Sequence, residues 1–487
     1  MLSRAAGIFA CTVASLLLAT ALASAQSSLG LRGPVEETAP SETYDPFEDD
    51  LSTPELEATP SQRAPLESEE DGTASNTRAQ PFILDDELNA RTPRENTRIG
   101  AIEGLARTPE QNPYAALGLR AGSFIVTPTL EQGLTATTNA SSSAGGGRAI
   151  LSDTTLRLNA VSDWSRHSAS LQAEGSYRKS LSGESISEIV GSMNGDLRLD
   201  LGAGFAATAG LGYRISPESA SSPVNLGNVT SRPNRHSFSG SAGISRNAGL
   251  LGLALTGALT RDVYEDASLA GGGTLSQRDR NTTLATATLR AGYELSPALN
   301  PFVEGEIGRR FYDQTSDANG YARSANRYGL RAGVELDMGE KLSGELSAGW
   351  LTERPDDRRL AAISGPSVAG RLAWSPQRGT TVELNGSTNV ETTTTSGETG
   401  SLLYSGSVAI SRDIRANLTG RALAGIDWRN YNAGDRDLIM RGEASLTWWL
   451  NRNAGITTRA RHEVQQSSRP GRNYDATSIF LGMTLQR

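Results

Sequence analysis

The sequence predicts an all-β fold: a closed antiparallel transmembrane β-barrel of about eighteen strands, preceded by a disordered acidic N-terminal segment. Three observations predict it. From Ser123 onward apolar and polar residues alternate with a period of two. Many of the alternating runs extend 11–15 residues, longer than the usual strand of a soluble sheet and enough to cross a bilayer at a tilt. The links between runs are short and long in turn, as in a barrel with tight turns at one rim and loops at the other.

Composition removes the main rivals. Hydrophobic residues make up 37% of the 487, and Cys11 is the single cysteine. Beyond the first 25 residues the longest apolar run is Gly249 to Leu259, well short of the roughly 18 residues a spanning helix needs. A polytopic helical membrane protein and a disulfide scaffold are therefore both excluded. Three histidines, His167, His236 and His462, are little material for a metal site or a histidine-based triad.

Residues 1–25 read as a secretory signal peptide. Arg4 supplies the positive start, Ile8 to Leu22 the apolar core and Ala23-Ser24-Ala25 the small-residue cleavage site. Cys11 lies inside that core, too early to be a lipid-anchor cysteine. Residues 26–112 form the acidic segment, expected in the periplasm. Within it Ser27 to Gly100 carry 17 acidic residues and 6 arginines, a net of −11 against −8 for the whole chain. Scattered prolines and the lack of any period mean that it buries too little apolar surface to offset chain entropy. It reads as a solvated tether, with occlusion of a pore as the sharper alternative.

The barrel is expected from 113 to 487. In Ser192 to Leu201 the residues Met193, Gly195, Leu197, Leu199 and Leu201 share one face, and Asn194, Asp196, Arg198 and Asp200 the other. Tyr328 to Asp337 and Leu438 to Trp448 repeat the pattern. Strand starts fall near 123, 150, 167, 189, 204, 235, 249, 282, 299, 326, 341, 364, 379, 401, 415, 437, 453 and 475. Sixteen strands is the other even count that weak alternation allows. Links after even-numbered strands are tight, among them Ser165-Arg166, Asn247-Ala248, Pro376-Gln377-Arg378 and Asp413-Ile414. The longest links after odd-numbered strands are Ser216 to Asn234, Asp266 to Asp279 and Asp313 to Ala325. This phase puts both chain ends at the short-turn, periplasmic rim.

All six tryptophans avoid strand middles. Trp164, Trp374, Trp448 and Trp449 are expected at the short-turn rim, and Trp350 and Trp428 at the loop rim near Tyr264, Tyr312 and Tyr431, where amphipathic rings meet headgroups. Arg261 to Glu265, Arg309 to Asp313 and Asp427 to Tyr431 repeat a charged–aromatic strand end, which reads as a hairpin device. Closure follows from physics, because backbone groups facing lipid must all be paired. At sixteen to eighteen strands, side chains alone cannot fill the interior, so an aqueous lumen is expected unless loops or the acidic segment plug it.

Catalytic constellations are absent from the pattern. The runs at Gly145 and Gly271 lack the helix and Lys-Ser/Thr of a phosphate cradle, and no histidine sits in a recognisable triad motif. No enzyme activity, cofactor, metal or nucleic-acid partner is expected. What remains is the polar face of each strand. Its charged members are Arg157, Glu174, Arg178, Arg198 and Arg214 in the first strands and Arg290, Glu304, Glu306, Arg331, Glu335 and Glu345 in the middle. Arg371, Glu383, Arg421, Arg441, Glu443, Arg459, Arg461 and Glu463 follow toward the C-terminus. These are the expected pore-lining residues. Arginine pairs bidentately with carboxylates, so this wall reads either as an ion-pair ladder or as the field that selects solutes.

The run Pro113-Tyr114-Ala115-Ala116-Leu117-Gly118-Leu119-Arg120-Ala121-Gly122-Ser123-Phe124, then Pro128, opens the barrel, and Leu481-Gly482-Met483-Thr484-Leu485-Gln486-Arg487 ends it. With the strand-end arginine–tyrosine pattern, these resemble the putative beta-barrel porin 2 family of Gram-negative bacteria over the region after residue 113. The resemblance implies an outer-membrane barrel, some of whose relatives are linked to exopolysaccharide export, and no agreed catalytic residues. The chain ends in Arg487 rather than an aromatic, which departs from the usual signal to the barrel assembly machinery. Partners expected are outer-membrane lipid and lipopolysaccharide, the assembly machinery and, on the export reading, periplasmic polysaccharide-export components. The function expected is a passive channel for small hydrophilic solutes, against a polysaccharide conduit or a non-conducting surface barrel.

Overall fold

The computed structural model describes residues 113–219, 221–224, 229–269 and 271–487. The expected signal peptide and acidic segment lie outside the described residues. Eighteen long strands form the wall: β1 (Phe124–Thr137), β2 (Ala149–Ser162), β3 (Ser168–Gly183), β4 (Ser187–Gly202), β5 (Phe205–Pro217), β6 (Asn234–Ala248), β7 (Leu251–Tyr264), β8 (Thr282–Tyr293) and β9 (Leu299–Tyr312). The second half comprises β10 (Ala325–Asp337), β11 (Leu342–Pro355), β12 (Ile363–Gln377), β13 (Thr380–Thr392), β14 (Gly400–Arg415), β15 (Leu418–Tyr431), β16 (Arg436–Trp449), β17 (Ala454–Ser467) and β18 (Tyr474–Gln486). Each pairs antiparallel with its sequence neighbours, and β18 pairs with β1 from Thr129↔Gln486 to Thr137↔Ser478, which closes the ring.

Strands of 12 to 16 residues are long enough to traverse hydrocarbon. The burial pattern inverts that of a soluble protein. Leu211, Leu330, Ile307 and Leu481 are more than 60% exposed, while Glu131, Asp153, Glu353 and Asp437 are at most 5% exposed. Alternation along each strand thus sends leucine, isoleucine and aromatic side chains outward and carboxylates, guanidinia and hydroxyls inward. Such an exterior is stable only in lipid.

Connections alternate as expected. One rim has the tight links 163–167, 203–204, 249–250, 294–298, 338–341, 378–379, 416–417 and 450–453. The other carries the longer links, of which 218–233, 265–281 and 313–324 are the most extended; 184–186 and 432–435 are tight despite their side. Several turns lie two or three residues beyond their expected place, at 249–250, 378–379 and 416–417, and at the first two glycine decides. Gly249 and Gly379 take φ of 62° and 72°, conformations that other residues adopt only under strain. The strand Leu119–Ala121 pairs with Phe124–Val126 at the short-turn rim and continues the wall beyond the end of β18. Two further ties anchor the segment leading into the barrel there: Arg452 donates to the Pro113 carbonyl and Gln486 to that of Tyr114.

One ladder is incomplete. β12 and β13 pair from Gln377↔Thr380 only as far as Gly370↔Gly386. Beyond that, Ile363–Ala369 stays paired with β11 and Ser387–Thr392 with β14, but not with each other. Val368 N–H donates to Thr388 Oγ1 (2.9 Å), which in turn donates to the Val368 carbonyl (3.2 Å), so one hydroxyl bridges the start of the split. Both backbone groups of Val368 therefore face β13, and so do those of residues two positions away. Pro366, which has no N–H, falls on this unpaired edge, where a proline costs no ladder bond.

Past the split the wall overlaps itself. Leu351 and Ile363 point inward from β11 and β12, and they pack against Leu402, Val390 and Tyr404, which point outward from β14 and β13. The loop-rim half of the β13–β14 hairpin thus tucks beneath the inner face of β11–β12. A Cβ added to Gly365 would lie 2.6 Å from Leu402 Cδ1, so a larger residue here would have to push the Leu402 side chain aside.

Candidate permeation pathway

The inner face divides by chemistry. On β8–β11, Arg290 reaches Glu345 (2.8 Å), Glu335 (3.5 Å) and Glu304 (3.7 Å). Arg331 continues to Glu304 (3.3 Å) and Glu306 (3.8 Å), Arg327 to Glu306 (2.6 Å) and Glu353 (3.5 Å), and Arg310 ends the chain on Glu353 at 2.6 Å. The Arg290 guanidinium also stacks 3.5 Å over the inward ring of Phe302, a cation–π contact. A second ladder crosses the closure of the ring. Arg441 pairs with Asp427, Arg459 with Glu131 (2.8 Å) and Glu443 (3.7 Å), and Arg461 with Glu463 (2.5 Å). On the far side of the closure, Arg157 bonds Glu174 at 3.3 Å, and Arg178 lies 3.6 Å from Asp153.

Between the ladders stands a neutral wall. β5 presents Thr208, Gly210 and Gly212 inward, β6 Ser237, Ser239 and Ser241, and β7 Thr256, Ala258 and Thr260. Arg214 rises from this wall with a buried Nε that has no hydrogen-bond partner among the described residues.

The alternation thus places every expected lining residue on the inner face, but only some come together. Glu304, Glu306, Arg331, Glu335 and Glu345 share one network with Arg290; Arg441, Glu443, Arg459, Arg461, Glu463, Arg157, Glu174 and Arg178 belong to the second ladder. Arg371, Glu383 and Arg421 face inward without an ion pair within 4 Å among the described residues, and Arg198 lies opposite Ser168 and Thr208.

Three expectations about aromatics need correction. Tyr264, Tyr312 and Tyr431 turn inward rather than joining the outer girdle. Arg280 stacks 4.0 Å over Tyr264, and the Tyr431 hydroxyl donates to Asp437 at 2.7 Å. The repeated strand end is therefore not one device. In its first two copies Arg261 and Arg309 point outward to Asp313 and Asp356, whereas Arg429 of the third points inward. Trp449 also faces inward, over Gly455, while Trp164, Trp350, Trp374, Trp428 and Trp448 are exposed on the outside as expected.

Two devices narrow the loop rim. The first is a strap from the β5–β6 link. Ser221 and Ser222 lend their carbonyls to Arg429 Nη1 (2.5 Å) and to Arg472, on β15 and the β17–β18 link, half the ring away. Arg429 is fixed by Glu391 (2.5 Å) and Asp437 (2.9 Å), and the root of the strap by Glu218 bonded to Arg280 (2.9 Å). The second is the infolded β13–β14 hairpin. Arg323 of the β9–β10 link donates to the carbonyls of Thr393, Glu398 and Thr395 at 2.7, 2.7 and 2.9 Å. Arg429, Arg472, Arg280 and Arg323 were not among the expected lining residues, since each acts through contacts distant in sequence. Ser364-Gly365-Pro366, a Gly-Pro pair inside an alternating run, was the available signal for the split.

Carboxylates in the loops are held ionised. The Arg261 guanidinium bonded to Asp313 keeps that carboxyl below the usual aspartate range. Burial alone would raise Asp317, but the Tyr321 amide and Arg323 outweigh it and bring it lower. Arg359 holds Asp357 far below its ordinary value.

The family model described as putative beta-barrel porin 2 matches residues 112–487. No curated protein matches the chain. Among solved structures, a BenF-like porin from Pseudomonas fluorescens Pf-5 is 11% identical, with 74% of this chain and 99% of that one covered and a TM-score of 0.37. OccK2 (OpdF) of Pseudomonas aeruginosa is 13% identical over 74% and 98%, with a TM-score of 0.36. The ferric citrate transporter FecA, unliganded, is 11% identical over 71% and 60%, with a TM-score of 0.37.

Proposed function

As the chain belongs to the putative beta-barrel porin 2 family of outer-membrane barrels, we propose that it is a passive channel for small hydrophilic solutes, with its short-turn rim and acidic segment in the periplasm. The observation that carries this reading is the inverted alternation around a closed ring: eighteen strands present apolar side chains outside and charged or hydroxyl side chains inside. Such a ring is too wide for its own side chains to fill. The ladders on β8–β11 and across the ring closure take up part of the lumen. The serine–glycine–threonine wall on β5–β7 leaves the wet path along its side. Because both signs are interleaved at no more than 3.9 Å, the field along the path alternates and ion selectivity is weak.

The test is planar-bilayer recording of the purified mature chain. Stable ohmic steps with little preference between potassium and chloride are expected, and a bilayer that stays silent for both the mature chain and one lacking residues 26–110 would overturn the reading. Silence relieved by that deletion assigns the acidic segment as a plug. Liposome swelling with sugars of increasing size then reports the cutoff. The inward Phe302, Tyr264 and Tyr431 are engaged with arginines and acids rather than arrayed as a sugar-stacking track, which favours the plain channel over a polysaccharide conduit.

A further inference from the structure

We propose that the split between β12 and β13 is a joint, at which the loop-rim half of the β13–β14 hairpin swings between the infolded position described above and one in which the β12–β13 ladder is complete and the lumen wider. The consequence for conductance rests on the channel reading; the motion itself does not.

The register for the completed ladder is already set. Continuing from Gly370↔Gly386 brings Val368 opposite Thr388, the two residues now bridged through one hydroxyl, then Ser367 opposite Asn389 and Ser364 opposite Thr392. Closing the seam therefore needs no slip of register and no side-chain inversion.

The sequence keeps the seam weak. Pro366 removes a donor from the β13-facing edge, and Gly365 offers no side chain to pack. Every other pair of neighbouring strands in the ring is laddered along most of its length, so the weakness is local.

What holds the infolded state is of a kind that water can replace. The apolar contact is one small cluster, Leu351, Ile363 and Leu402. The remaining ties are polar and lie at the rim: Arg323 on three carbonyls of the β13–β14 link and Arg429 on Glu391. Arg429 also holds the strap through Ser221, so an outward swing that carries Glu391 away loosens the strap as well. The joint and the strap are thereby coupled through one guanidinium.

The mature chain has no cysteine beyond the expected signal peptide, which makes thiol chemistry clean. Both backbone groups of Val368 face β13, so in the completed ladder Ser367 and Asn389 form a non-hydrogen-bonded pair with Cα atoms about 4.5 Å apart, within disulfide range. The experiment uses the full mature chain carrying Ser367→Cys and Asn389→Cys, folded in lipid vesicles and treated with mild oxidant, with and without Arg323→Ala. A disulfide is expected to form slowly in the first background and at least about fivefold faster in the second. Once oxidised, the protein should give larger single-channel steps that return to the original size on reduction. Failure to form the disulfide in either background, or equal rates in both, overturns the joint. Oxidised channels no larger than reduced ones overturn its role in the aperture. A protein that conducts in no state refutes the channel reading alone, because the disulfide rates still decide the joint. Arg323→Ala without cysteines is the independent check: it should raise mean conductance or add larger sublevels, and a trace identical to wild type counts against the latch.

Discussion

The walls β5–β7 and β8–β11 stand side by side in one sheet and meet the same solvent outside, yet inside they share almost nothing. Leu211, Phe238 and Leu255 on the first wall and Ile307, Leu330 and Trp350 on the second are comparably exposed to lipid. Inward, the first shows hydroxyls and glycines, and the second a run of arginine–glutamate pairs. Lipid imposes one rule on every outward position, so the exteriors converge. The interior imposes only that a buried charge be paired. That leaves one wall free to fill the lumen with a ladder and the other free to leave it open.

The difference is largest where a charge loses its partner. Glu353 is 2% exposed and takes bonds from Arg310; Glu353→Ala leaves the buried Arg310 guanidinium unpaired, while Arg327 keeps Glu306, and is expected to cost about 3–5 kcal/mol. Thr256→Ala on the neutral wall should stay within about 0.5 kcal/mol. Urea unfolding in lipid vesicles measures both, and equal costs would break the comparison. The exteriors, by contrast, should respond alike. Leu255→Arg and Leu330→Arg, both near mid-strand, each place a cation in hydrocarbon, and each should cost about 2–4 kcal/mol. A gap of more than about 2 kcal/mol between them would mean that one face is covered by protein rather than lipid.

A smaller effect should appear in selectivity. Arg214 has no ion-pair partner among the described residues, whereas Arg235 of the same wall is held by Asp262 at 2.9 Å and Arg331 is bound to Glu304 and Glu306. Arg214→Gln should therefore move the reversal potential in a potassium chloride gradient toward cation preference, by more than Arg331→Gln, whose lost charge is partly offset by the carboxylates it releases. The opposite ranking would place the conducting path along the charged wall.

Strand number, phase and facing were legible in the sequence because they are local. Met193, Leu197 and Leu201 alternate with Asp196 and Arg198 whatever lies elsewhere, and every expected strand start falls within three residues of the observed one. The ladders were legible as composition but not as pairs, since Arg290 meets Glu345 across three strands. Facing failed where a strand ends. Tyr264, Tyr312 and Tyr431 looked like girdle residues because they lie near Trp350 and Trp428 in the expected topology, but parity sends them inward. The strap and the infolded hairpin depend on Arg429, Arg472 and Arg323, which reach carbonyls 70 to 250 residues away, and no local pattern encodes such contacts.

Acid should have its smallest effect at the loops above the charged wall, and the sign follows from their carboxylates. Asp313, Asp317 and Asp357 are all depressed in the folded protein. A depressed group contributes stability above its unfolded value, roughly pH 4 for aspartate, and loses it only as the pH falls through the lower folded value. Asp317 accepts from the amides of Asn319 and Tyr321, both at 2.9 Å, and Asp357 from that of Arg359, also at 2.9 Å. Hydrogen exchange at these three amides, corrected for intrinsic rates, should therefore stay flat from pH 7 to roughly 4.5 and accelerate only in stronger acid. Acceleration with its midpoint at roughly pH 4 would mean that these carboxylates titrate as free ones do. The loops over β9–β12 would then be no better fixed than a solvated link, and the contrast between a packed wall and an open one would not extend to the rim.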